Sequence, residues 1–188
     1  MVVLQAPWPQ PLTNRLEAAR YTTKDSVTDF TSAVIETASV VSGMTTKALD
    51  LTKVSPASPG KRVGGYVILA RLADKARAEF LGGNIGEYHT DCPLDHQLLD
   101  WKGVPYDEVK KSIIAGSSNE QVATLLDSHG TEKTAEEVKA WSDNAEKQNP
   151  YENPEKREWY ESETKKLGLD AATTPMFRWL DTDDKASH

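Results

Sequence analysis

The chemistry available to this chain is concentrated around its single cysteine. Cys92 lies in Gly86-Glu87-Tyr88-His89-Thr90-Asp91-Cys92-Pro93-Leu94-Asp95-His96, where a thiol, two imidazoles and several carboxylates crowd into one short segment. Proline is excluded from a helix interior but favoured at its first position, so Cys92-Pro93-Leu94-Asp95 reads as a helix start with Cys92 at the cap. The positive end of a helix favours the thiolate, the form that attacks electrophiles and binds metals.

Three kinds of site can be built from these residues. His89, Cys92 and His96 have the spacing H-x2-C-x3-H, with Cys92 and His96 on one helix face, a set that suits zinc or iron if Asp91 or Asp95 supplies a fourth ligand. The competing reading is a capping cysteine flanked by two surface histidines. Alternatively, Cys92 is a nucleophile with His89 or His96 as its base and Asp95 or Glu87 orienting the imidazole. Against this stands the tendency of cysteine to pack as a small apolar group. The third site uses Arg71, Asp74, Lys75 and Arg77: Arg71 and Lys75 share one helix face, and Asp74 and Arg77 are i, i+3 partners. Turned toward Tyr88, Cys92 and Asp95, these residues would form a pocket for a small anionic ligand, a carboxylate or phosphate. Turned to solvent, they are an ordinary charged surface.

The elements that must position these residues are helical. The pattern predicts a helix from Gly64-Gly65 to about Leu81, with Tyr66, Leu69, Ala73, Ala76 and Phe80 on one face. The Cys92 helix should run to about Lys102 and stop at a left-handed Gly103, with Leu94, Leu98 and Trp101 inward. Val104-Pro105 restarts a helix through Ile114. Ser118-Asn119-Glu120-Gln121 and Thr134-Ala135-Glu136-Glu137 both read as capping boxes, each opening a further helix. Asn153-Pro154 starts a charged helix to Leu167, with Trp159 as its buried candidate. A last short helix follows over 176–180, before a polar tail. No alternating run makes a convincing sheet, although Val63, Tyr66, Val67 and Ile68 have strand propensity. The expected fold is therefore all-α: a compact multi-helix domain over 49–180, preceded by an extension over 1–48 and followed by a tail over 181–188. The extension reads as poorly ordered, with a weak helix over 24–41, or as a misassigned start before Met44.

The motifs Leu49-Asp50-Leu51-Thr52-Lys53, Gly64-Gly65-Tyr66, Leu69-Ala70-Arg71, Asp74-Lys75-Ala76-Arg77, Gly86-Glu87-Tyr88 and Cys92-Pro93-Leu94-Asp95 come in an order that resembles a bacterial domain-of-unknown-function family, DUF5069, over roughly residues 49–141. The resemblance implies no activity. It does imply that Asp74-Lys75-Ala76-Arg77 and Cys92-Pro93-Leu94-Asp95 belong to one set of family motifs.

Composition narrows the function further. A net charge of −7 over 188 residues argues against sequence-independent nucleic-acid binding, which depends on neutralising phosphates. One basic cluster, Lys53, Lys61, Arg62, Arg71, Lys75 and Arg77, reads either as a solvated face or as an anion site. A lone thiol suits a reducing, cytoplasmic compartment. No apolar run approaches the roughly 20 residues needed to span a bilayer, and no basic segment leads into an apolar one as in a signal peptide. Phosphate-binding loops, dinucleotide fingerprints and basic recognition helices are all missing, so no nucleotide cofactor is expected. Two functions stay open. One is a small-ligand- or metal-binding domain, potentially an enzyme, built on the residues above. The other is a helical protein-interaction module using Trp141, Trp159 and Trp179.

Overall fold

The computed structural model describes residues 49–188, so the expectations for the extension, its helix over 24–41 and the start at Met44 lie outside the described residues. Seven α-helices and one 3-10 turn carry the described chain, and the β-pairing among these residues consists of isolated bridges. The all-α expectation holds. No helix among the described residues is long and apolar enough to cross a membrane.

α1 (Leu69–Phe80) is the central element and touches α2 (Pro93–Lys102), α3 (Tyr106–Ile114) and α4 (Asn119–His129). Its small residues allow this: Ala70, Ala73, Ala76 and Ala78 are buried, so neighbours approach its backbone closely. Leu72, Leu98, Leu99, Val109, Ile113, Val122 and Leu126 fill the space between these helices. Each such fully buried aliphatic side chain contributes about 2 kcal/mol. Both capping boxes form as read: Ser118 Oγ accepts from Gln121 N–H and Thr134 Oγ1 from Glu137 N–H, opening α4 and α5 (Ala135–Ala145). Gly103 ends α2 at φ 68°. A 3-10 turn, Pro150–Glu152, leads into α6 (Pro154–Lys166), and α7 (Met176–Ala186) closes the chain.

Three expectations are corrected. The first helix begins at Leu69 rather than at Gly64-Gly65, because Val63 and Tyr66 exchange both backbone hydrogen bonds at 3.0 Å around Gly64 (φ 59°) and Gly65 (φ 88°). That is a tight hairpin turn of the type requiring two left-handed residues, which glycine supplies without steric cost. Tyr66 is fully buried from this turn and not from a helix face. On α6 the buried aromatic is Tyr160, whose hydroxyl donates to Thr174 O at 2.9 Å, while Trp159 is 44% exposed. Finally, the helix expected over 176–180 continues to Ala186 and takes in most of the polar tail. Its last turns are held by the Ser58 hydroxyl, which donates to Asp181 Oδ2 at 2.9 Å, and by a buried ion pair at Asp184.

Candidate functional site

The charged residues of α1 face inward. Arg71, Lys75 and Arg77 are each 2–3% exposed, which no solvated surface would show. Burying three cations requires a partner for each. Arg71 makes a two-pronged contact with Asp184 at 2.5 and 3.0 Å. Lys75 meets Asp95 Oδ2 at 2.9 Å. Arg77 donates to Asn119 Oδ1 at 2.7 Å and to Ser117 O at 2.9 Å, and lies 3.6 Å from Asp74. Burial pulls the Arg77 guanidinium below its ordinary value, opposed by Asp74 and Glu120. Asp74 is also committed elsewhere, accepting from Ala57 N–H at 3.0 Å.

Residues 71, 75 and 79 fall one turn apart, and each grips the loop that precedes α2. The Arg71 guanidinium carbon lies 5.4 Å from the centre of the Tyr88 ring. The Lys75 ammonium donates to His89 O at 2.8 Å, and Glu79 accepts from the Thr90 hydroxyl. Three successive turns of α1 thus hold three successive loop residues, and this contact delivers Cys92 to its place.

At the start of α2, the Lys75 ammonium lies 3.2 Å from Cys92 Sγ while it bridges His89 O and Asp95. Asp95 is fully buried; its Oδ2 also accepts from Cys92 N–H at 3.4 Å, and its Oδ1 finds no hydrogen-bond partner among the described residues. Cys92 itself is half-buried. The sulfur therefore faces a cation and a helix N-terminus, and no imidazole hydrogen-bonds it among the described residues. His89 contributes its carbonyl to this cluster, and its side chain is exposed. His96 is held between two carboxylates instead, with Nε2 2.8 Å from Asp91 and Nδ1 3.1 Å from Asp100. Asp100 chiefly, and Asp91, hold this imidazole above its ordinary value of 6.5. His89, Cys92 and His96 are not gathered into one ligand set: among the described residues no three His, Cys, Asp or Glu side chains are placed to hold a metal ion.

At the Arg71 end the structure opens into a pocket of about 480 Å³, walled by Leu51 and Thr52, by Gly86, Glu87 and Tyr88, and by the end of α7. The Tyr88 hydroxyl donates to Asp184 Oδ1 at 2.9 Å; burial, reinforced by that carboxylate, pushes the phenol up to about 12. Asp183 also lines the pocket, and its carboxyl is raised by burial and by neighbouring Asp184 and Glu163. Of the residues expected to bind ligand, Arg71 and Tyr88 line this pocket, Lys75 and Asp95 surround the thiol, and Asp74 and Arg77 brace α1 on other sides. Sequence reasoning missed Asp184. Its signal was present: Asp184 stands seven residues after Phe177 and four after Leu180, continuing the inward face of α7.

Fold and site together define an all-helical domain organised on one buried helix whose cations are neutralised internally and hold a cysteine-bearing loop. The chain belongs to the family described as Domain of unknown function (DUF5069), whose model matches residues 53–186. The match reaches further than the resemblance over 49–141 and takes in α6 and α7, including Asp184. No curated protein matches the chain.

Proposed function

We propose that the chain is a small-ligand-binding domain whose site is the pocket over the Arg71–Asp184 pair, with a ligand that carries a cationic group such as an amine or guanidine. One observation carries this reading. The Arg71 guanidinium is already matched by Asp184, so the pocket wall retains Glu87 and Asp183 as carboxylates with no ion-pair partner among the described residues. The place an anionic ligand would take on Arg71 is filled by the chain's own carboxylate. A cation would relieve the crowding of negative charge that, with burial, raises Asp183. A volume of about 480 Å³ suits a metabolite-sized molecule. A cytoplasmic setting accompanies the reading, on the ground of the single free thiol.

The experiment is a thermal-shift titration with butylamine, putrescine and agmatine. A ligand of the folded state raises Tm with concentration. We expect at least one of these probes to do so saturably, and Asp183→Asn to weaken the effect by about tenfold, the loss of one charge-assisted contact. Absence of a shift with all three, or an undiminished shift in Asp183→Asn, would overturn it.

A second reading, protein interaction, draws on the exposed Trp159, which meets Trp179 edge-on with ring centres 5.7 Å apart. Exposed tryptophans are common anchors at interfaces. Loss of a partner on Trp159→Ala, with the pocket variants unaffected, would favour it.

A further inference from the structure

On a different part of the fold, the Gly64-Gly65 turn, the end of α2 and the start of α5 enclose a second pocket, of about 410 Å³. Four cations line it, Arg62, Lys102, Lys133 and Lys139, against two carboxylates, Asp127 and Glu132. Two of the cations are already engaged. Arg62 lies 2.6 Å from Asp143 and 2.9 Å from Glu146, and Lys139 lies 2.6 Å from Asp143.

Lys102 and Lys133 are placed differently. The Lys102 side chain is 1% exposed, yet its ammonium makes one hydrogen bond among the described residues, to Thr131 O at 2.8 Å. Its other contacts are looser: a long ion pair of 3.9 Å to Asp127, which also accepts from the Tyr66 hydroxyl, and the Tyr66 ring, whose centre lies 5.6 Å from the ammonium. An ammonium has three N–H donors, and burying it without matching acceptors is costly. Lys133 lies over the Trp101 ring at 5.3 Å, with no carboxylate within ion-pair distance among the described residues. Gly64, Gly65 and Ala135 line the same pocket. Neither Gly64 nor Gly65 has an acceptor for its N–H among the described residues, since the turn is closed by Val63 and Tyr66. At α5 the capping box uses the N–H groups of Thr134 and Glu137, which leaves that of the pocket-lining Ala135 at the positive helix end.

We propose that this pocket binds a small soluble phosphate ester, with its phosphate held by Lys102, Lys133 and the adjoining backbone N–H groups. Donors arriving from separate elements suit a tetrahedral anion approached from several sides. A planar carboxylate is better matched by an arginine fork, and the Arg62 fork is already committed. The volume accommodates more than the phosphate group alone.

The test is titration of the ¹⁵N-labelled full chain with inorganic phosphate and with glycerol 3-phosphate, followed at the amides of Gly64, Gly65 and Ala135. Saturable shifts at these amides are expected, with glycerol 3-phosphate the tighter ligand. Lys133→Gln should weaken binding by about tenfold, while Glu132→Gln, which removes a competing carboxylate, should tighten it severalfold. Glu132 is exposed and Lys133 is half-buried over the Trp101 ring, so circular dichroism checks that the fold is unchanged in each variant. No saturable shift at the three amides, or variants that bind like the parent, would overturn the site. Phosphatidic acid vesicles form a second arm: sedimentation with them that depends on Lys133 would overturn the soluble-ester reading in favour of a lipid headgroup.

Discussion

Lys75 occupies a demanding position. Its ammonium is buried and answers to a carbonyl, a sulfur and a buried carboxylate together. Removing the cation leaves Asp95 as an unpaired charge with no exposure, so Lys75→Met should cost about 3 kcal/mol or more by urea denaturation. Adding Asp95→Leu should recover part of that loss, because the penalty lies in the orphaned carboxylate more than in the absent pair. A double variant no more stable than Lys75→Met would show that the carboxylate was not its source. The residue types of this cluster and the shared helix face of Arg71 and Lys75 were legible in the sequence, whereas the choice between Tyr88 and Cys92 on one side and solvent on the other was left open by it. Their partners were less legible. Asp184 lies 113 residues from Arg71, and no local spacing announces so distant a pairing.

At the scale of elements, the caps were the most legible features, since a hydroxyl and the side chain three residues later satisfy each other without help from the rest of the fold. The Gly64-Gly65 turn was misread because a tight turn and a helix start both accept glycine; the buried side chains of Val63, Tyr66 and Ile68 decide between them. The start of α2 carries a pH-dependent element. The imidazolium of His96 bridges Asp91 and Asp100, and the raised pKa means that its stabilisation is fully present below 6.5 and is lost as pH rises through the elevated value. The pair is well exposed and screened, so the effect should be small, about 0.5 kcal/mol. Stability measured across this interval should fall in the parent chain, and the fall should be absent from His96→Gln. Parallel profiles in the two proteins would show that the bridge contributes nothing.

For the molecule as a whole, α7 joins the first described segment to the last. Ser55 and Ser58 donate to residues of α7, and Asp184 neutralises the central helix. Deleting residues 181–188 should therefore act as a core lesion, leaving Arg71 buried without its carboxylate at a cost of about 3–5 kcal/mol. Chemical denaturation of the truncated chain measures this directly, and unchanged stability would mean that α7 is dispensable to the fold.

The sequence by itself determined the helical class, most helix boundaries and the identity of the charged cluster, because caps, glycine stops and apolar periodicity act over a few residues. Tertiary structure alone decided whether that cluster met solvent or core, which carboxylate answered which cation, and where the chain leaves space for a ligand. Each of these depends on groups brought together from distant parts of the chain, where the cost of burying a charge is set by partners that local spacing does not specify.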